Sequence, residues 1–363
     1  MHAHAVPNQV SDIDVGWLNE VTPDDVGEVT ALDARDLGTG VGILGEVARL
    51  HLTYAPGHDG PATMIAKCAS PSPESVGLAT AMGFYERELS FYRETAATLT
   101  DVRVPRPYHV DAAAGSVPFV LLLEDIVGAR CPDQIAGLTV DEAGAILDAV
   151  AGLHAAFWES PALDELTWLP PMNNDLYKGA GALAEARWDG FVEVWGSRVP
   201  ATMLAAVEQV IPRYPRLLDW WVEQGHATFA HTDCRAENYL FGGADGDDAV
   251  TVVDFQLSTR HVGAWDVANL LGGSLRVDVR REAEEGLVAR YHARLVELGV
   301  THYPIDRLWR DIEMSWLQQS FAAVAVSDLE GGNARGDELL AELFTRPFVA
   351  AADHGVERLL SEL

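Results

Sequence analysis

Apolar residues in the first ~125 positions come in short runs bounded by turn formers, at 41–54 (after Gly40), 62–70 and 117–125. The first two are separated by Pro-Gly-His-Asp-Gly-Pro at 56–61, the pattern of a hairpin followed by further strands. Between the second and third runs, Phe84, Leu89, Phe91, Tyr92 and Leu99 recur at helical spacing, which predicts one helix over 77–99. From Thr139 onward the period changes. A threonine with early acidic residues opens a helix over 139–159, and helical patterning continues almost to the last residue. The exception is 227–256, where two apolar segments flank a polar loop and a Gly-Gly-Ala-Asp-Gly-Asp-Asp turn, predicting a short strand pair. No internal repeat or low-complexity tail is present. The reading is an α+β chain of two lobes, residues 1–125 strand-rich and 126–363 mostly helical.

Composition supports two packed lobes: 363 residues, 48% hydrophobic and 22% charged, are enough to bury a large core. Asp and Glu outnumber Lys and Arg by 55 to 25, a formal charge of −30, which argues against nucleic acid and anionic lipid as partners. The same field attracts cations, although an acidic surface also serves solubility alone. Cys68, Cys131 and Cys234 are widely spaced with no CxxC pair, so neither a disulfide framework nor a structural zinc site is expected, and a reducing cytoplasm fits best. The N-terminus carries no secretory pattern and no apolar run reaches membrane-spanning length. Oligomeric state is not legible.

Candidate chemistry lies in His231-Thr232-Asp233, Asn238 and Asp254. An aspartate, an asparagine five residues on and a second aspartate on the next strand are the set that phosphoryl transfer uses. Mg²⁺ wants oxygen ligands, which Asn238 and Asp254 can supply with phosphates and water completing the shell, while Asp233 faces an acceptor hydroxyl. Taken singly, each residue is explained by a hydrogen-bonded turn or a strand end. The order and spacing make the case. Gly38, Gly40, Gly42 and Gly45 lead into an apolar strand and suit either a phosphate-cradling backbone or a plain hairpin turn. Lys67 lies in an otherwise apolar strand, where an unpaired ammonium would be costly, so an anionic partner is expected.

The segments HTDCRAENYLF and VTVVDFQ resemble the aminoglycoside phosphotransferase and choline kinase-like superfamily, nearest its ecdysteroid-kinase-like branch, and the resemblance runs from about residue 35 to 275. It implies a bilobal protein-kinase-like fold with ATP between the lobes. It further implies Asp233 as catalytic base, Asn238 and Asp254 as Mg²⁺ ligands, and Gly40, Gly42 and Lys67 on the nucleotide phosphates. Lys67 would pair with Glu88, or failing that Glu86, and main-chain groups at Glu124 and Ile126 would meet the adenine edge. Thr232 stands where the family usually has glycine, and Gln256 where protein kinases have glycine. Asp266 is expected to brace the catalytic loop or cap a helix, and His154 to be a core histidine. The implied acceptor is a small molecule, an aminoglycoside, an amino alcohol or a hydroxylated apolar compound such as a steroid, with its pocket built from 169–181 and 307–321. A nucleotide-binding module without chemistry and a protein kinase are the rivals. ATP and GTP are not distinguished.

Overall fold

The three apolar runs become strands of one antiparallel sheet in the computed structural model, which describes residues 5–37, 45–243, 246 and 249–363. After a short helix α1 (Val15–Val21), strands β1 (Val29–Asp36), β2 (Gly45–Tyr54), β3 (Thr63–Ala69), β4 (Pro107–Ala112) and β5 (Phe119–Glu124) pair in the order β1-β2-β3-β5-β4. Leu50, Ala66, Cys68, Val120 and Leu122 from the three central strands are buried with Val10, Ile13 and Leu18, so the N-terminal segment covers one face of the sheet. The sequence reading finds the central strands and misses both edges. An edge strand has one neighbour and need not be apolar. In β1 only Val29 is buried, and β4 is half-buried throughout.

The single helix expected over 77–99 is broken. Ser72 caps α2 (Pro73–Ala81), Gly83 takes φ +70°, and α3 (Phe84–Ser90) runs into a wide π turn at Phe91–Thr95. Apolar spacing does not register the break, because the left-handed glycine shifts direction without interrupting the pattern. Residues 1–99 and 103–129 form one compact unit together with 242–256, which the chain supplies much later.

The other unit, 100–102, 130–241 and 257–363, is helical. Its first helix, α4 (Val140–Phe157), starts at the expected threonine with a capping box, Thr139 and Glu142 each accepting the other's backbone N–H. Two short helices, α5 (Ala162–Glu165) and α6 (Asp175–Lys178), precede α7 (Ala180–Trp195), α8 (Ala201–Val210) and α9 (Tyr214–Gln224). Strands β6 (Ala227–Ala230) and β7 (Tyr239–Phe241) follow; β8 (Val250–Val252) belongs to the first unit, and β9 (Thr259–Val262) returns to the second. β6 pairs antiparallel with β9, from Ala227 opposite Val262 to Ala230 opposite Thr259. This partner lies past the 227–256 stretch in which apolar pattern predicts a strand pair.

Helices α10 (Ala264–Asn269), α11 (Val277–Glu297), α12 (Ile305–Ala325) and α13 (Ala334–Asp353) complete the unit. The spine is α12, with Leu308, Ile312, Trp316, Leu317 and Phe321 fully buried. Trp316 donates to the Ala268 carbonyl at 2.9 Å and Phe321 stacks on Tyr214 at 3.7 Å. Segment 307–321 is therefore largely core. No described helix is long and apolar enough to cross a membrane.

His354, after α13, ties the C-terminal segment down. Its imidazole reaches Glu284 of α11 at 2.9 Å and Glu313 of α12 at 3.7 Å, and stacks on Trp309. The Glu284 hydrogen bond and the nearby Glu313 carboxylate raise its pKa from 6.5 to about 9. A histidine raised on folding stabilises fully below its unfolded pKa and loses that contribution as pH rises through the folded one. Stability is accordingly expected to fall between pH 6.5 and about 9, and His354→Gln to flatten that slope, as urea denaturation across the range will measure.

Candidate functional site

Strand β3 carries Lys67 between Val47 of β2 and Leu121 of β5, with 9% of the residue exposed. Its Nζ lies 2.9 and 2.7 Å from the two carboxylate oxygens of Glu88 on α3, and 3.8 Å from Asp254 Oδ1. Glu86, two residues earlier, is exposed on another side of the helix. Burial favours loss of the Lys67 proton, but Asp254 and Glu88 outweigh it and hold the pKa above the ordinary lysine value. The ammonium stays charged in a nearly dry setting. Gly45 opens β2 beside it; a Cβ there would stand 3.1 Å from the Cys68 carbonyl and 3.4 Å from Lys67 Cε, so glycine leaves room for the lysine stem. Gly38, Gly40 and Gly42 lie outside the described residues.

Asp254 has φ +65°, a conformation that costs a non-glycine residue free energy, and its carboxylate is 34% exposed. At the end of β5, the Glu124 N–H donates to the Arg106 carbonyl at 2.8 Å and its carboxylate takes Arg103. That amide is therefore spent within the sheet. Asp125 is fixed by Arg49 and Thr63, and the Ile126 carbonyl accepts from Ala129 N–H. Of the two residues assigned to the adenine edge, Ile126 is the one whose N–H has no acceptor among the described residues.

The helical unit positions the other half of the set. Asp266, in the first turn of α10, is wholly buried, and its carboxylate accepts the His231 N–H at 2.7 Å, the Thr232 N–H at 2.8 Å and His154 Nε2 at 3.0 Å. It braces the loop and does not cap its helix. His154 is a core histidine whose Nδ1 meets Tyr291 Oη at 2.7 Å. Gly263 is needed there, since a Cβ would come within 2.6 Å of both His154 Nδ1 and Tyr291 Oη. Thr232 has φ +61°, which explains why glycine suits the position. The threonine is held there by its N–H on Asp266 and its hydroxyl on the Leu257 carbonyl.

Past this brace, Asn238 Nδ2 donates to both the carbonyl oxygen and the Oδ2 of Asp233, each at 2.8 Å, so its own side-chain oxygen is the atom left for a cation. Three contributors escaped the sequence reading. Arg235 Nε donates to Asp233 Oδ2 at 3.1 Å and its Nη1 to Glu237 at 2.9 Å; Arg335 of α13 reaches Glu237 at 3.2 Å; and Gln134 Oε1 accepts the Ala236 N–H at 2.8 Å. Only Arg235 left a signal, a cation two residues after the aspartate. Burial would raise the Asp233 pKa, but Arg235 and His231, with the Asn238 bond, outweigh it and hold the carboxyl below the usual aspartate value. Such a group accepts and orients a proton donor and is a weak base.

Beside Ala334, which Arg335 follows, the same unit carries an open groove of about 640 Å³ lined by Val194, Trp195, Arg198, Leu329, Glu330 and Asp337. Trp195 supplies an aromatic wall, while Trp220 and Trp221 are core.

The ecdysteroid kinase-like family model matches residues 40–301. Among solved structures, a choline kinase from Cryptosporidium parvum is similar at 11% identity and a TM-score of 0.58, over 97% of this chain and 99% of that one. The GDP and kanamycin complex of APH(2'')-IIIa is similar at 14% identity and 0.55, over 93% and 97%. A Ralstonia eutropha protein assigned as an aminoglycoside phosphotransferase gives 16% and 0.54, again over 93% and 97%. At such identities the likeness is one of fold, and it is the α+β fold expected from the sequence. No curated protein sequence matches the chain.

Removing the brace tests the loop. Asp266→Ala strands two backbone N–H groups and one imidazole nitrogen inside the protein, and should cost at least about 2 kcal/mol in urea denaturation. Asp266→Asn, which keeps one acceptor oxygen, should cost less. Amide exchange at 231–233 should accelerate in both.

Proposed function

Because the chain belongs to the ecdysteroid kinase-like family, we propose that it is a small-molecule kinase that moves the γ-phosphate of ATP, with Mg²⁺, onto a hydroxyl of a small acceptor. The observation that carries this reading is the buried, charged Lys67, whose ammonium is set by Glu88 and has a partly exposed carboxylate, Asp254, beside it. Lys67 binds nucleotide phosphate oxygens, and the Ile126 N–H meets the adenine edge. The donor set fits Mg²⁺: the Asn238 side-chain oxygen and the Asp254 carboxylate are hard oxygen ligands, and the ion would neutralise charge on the phosphates. Asp233 orients the acceptor hydroxyl and takes up its proton as the oxygen attacks. With the Asp233 carboxyl held below the ordinary range by Arg235, positioning and charge neutralisation supply more of the acceleration than base strength does.

The groove beside α13 is our choice for the acceptor. Arg335, next in sequence to the lining residue Ala334, bonds Glu237, Glu237 pairs with Arg235, and Arg235 pairs with Asp233, so a chain of ion pairs runs from beside the groove to the proposed base. Val194, Trp195 and Leu329 offer apolar surface, and Glu330 and Asp337 line the groove with them. Arg198, which also lines the groove, sits over the Trp195 ring at 4.9 Å, so the groove suits a hydroxylated molecule with an apolar body. A protein substrate is disfavoured, because the short run from Asp254 to Asp266 is taken up by β9 and the start of α10. The intact set of Lys67, Asp233, Asn238 and Asp254 disfavours a module without chemistry. Cys68, Cys131 and Cys234 are free thiols, in keeping with the cytoplasmic location we propose.

The test is Mg²⁺-dependent ADP release from ATP across aminoglycosides, amino alcohols, sugars and hydroxysteroids, with Asp233→Asn alongside. At least one acceptor should stimulate turnover, and the substitution should lower kcat by about 100-fold or more. ATP binding without turnover on any acceptor would favour the module; absence of ATP binding would overturn the kinase reading.

A further inference from the structure

Gln256 is 5% exposed, and its Nε2 donates to Glu88 Oε2 at 3.2 Å. A buried amide is costly unless hydrogen-bonded, so this contact accounts for a glutamine at the position. Glu88 thus receives Lys67 on both oxygens and Gln256 on one. Asp254 and Gln256 both reach this ion pair, and Phe255 between them stacks on Phe91 at 3.5 Å. Phe91 begins the π turn that directly continues α3, the helix carrying Glu88. The 254–256 segment is therefore joined to α3 by an amide–carboxylate bond and to the turn that continues it by an aromatic stack.

We propose that Gln256 is a positioning residue that fixes Glu88 on Lys67, and so aims the ammonium at the nucleotide phosphates while leaving the Asp254 carboxylate free. Two carboxylates compete for one ammonium here, Glu88 at 2.7 Å and Asp254 at 3.8 Å. A neutral donor on Glu88 holds the nearer carboxylate in place without adding charge. A third carboxylate at 256 would repel both, and glycine would leave Glu88 held by Lys67 alone. The inference rests on the nucleotide-site reading above.

Gln256→Met keeps the bulk and removes the amide. In the full-length protein with EDTA present, it should weaken ATP binding by roughly 3- to 10-fold, part of the worth of one hydrogen bond to a charged group, because Gln256 acts on ATP only through Glu88 and Lys67. Gln256→Glu should weaken it more. Combined with Glu88→Ala, Gln256→Met should add little to the loss caused by Glu88→Ala alone. Wild-type ATP affinity in Gln256→Met, with or without a lower Tm, or losses that simply add, would overturn the inference. If Gln256→Met does not fold, the ATP-induced Tm shift of Gln256→Glu decides, an undiminished shift being the contrary result. Lys67→Met is the control: if it binds ATP normally, the nucleotide-site reading itself fails, whereas loss in Lys67→Met with none in Gln256→Met rejects only the role of Gln256.

Discussion

A fully buried carboxylate must have its lone pairs filled, and Asp266 fills them with three donors from two parts of the helical unit: two successive backbone amides after β6 and the imidazole of His154 on α4. Through His154 the same group reaches Tyr291 of α11. Strand, loop and three helices thus converge on one side chain, and the tightness of that meeting leaves no room for a Cβ at Gly263. The loop holding Asp233 and Asn238 hangs from this point. Its shape is set by charge and hydrogen bonding more than by apolar packing, with Gln134 and Arg235 securing the stretch beyond the brace.

A different logic governs the sheet-bearing unit. Lys67 is kept ionised by carboxylates close enough to offset its desolvation, and they come from separate stretches of chain, α3 and the 254–256 segment. The strained backbone at Asp254 is held in place by the ring stack that follows it. In both units a residue of unfavourable local conformation, Thr232 or Asp254, sits directly beside the polar network that fixes it. Local strain is tolerated where the surroundings over-determine it.

What the sequence disclosed follows from these two designs. Asp233, Asn238 and Asp254 stand out by their order and spacing, and Lys67 because a charge in an apolar strand demands a partner; Glu88 follows from the family resemblance, helical spacing showing only that it and Glu86 face different ways. Arg335 and Gln134 left no signal, and Arg235 only its place two residues after the aspartate. A surface arginine and a polar loop residue look the same whether or not they touch a distant carboxylate, and 335 is about a hundred positions from its partner Glu237. Central strands were legible from their apolar runs; β1 and β4, with one neighbour each, were not. The break at Gly83 was hidden by apolar residues continuing at compatible spacing on either side.

The polar character of those edge strands has a bearing on how the protein behaves when concentrated. An unpaired strand edge is a template for a strand from another molecule, and flat apolar edges recruit one. Here β1 is almost entirely exposed and carries Asp33, Arg35 and Asp36, while β4 at the opposite edge carries Pro107 and Asp111. On a chain of formal charge −30, a second copy approaching either edge meets like charge before it meets a hydrogen-bonding backbone. The same residues that concealed these strands from a reading of apolar pattern guard the sheet against growing from one molecule into the next.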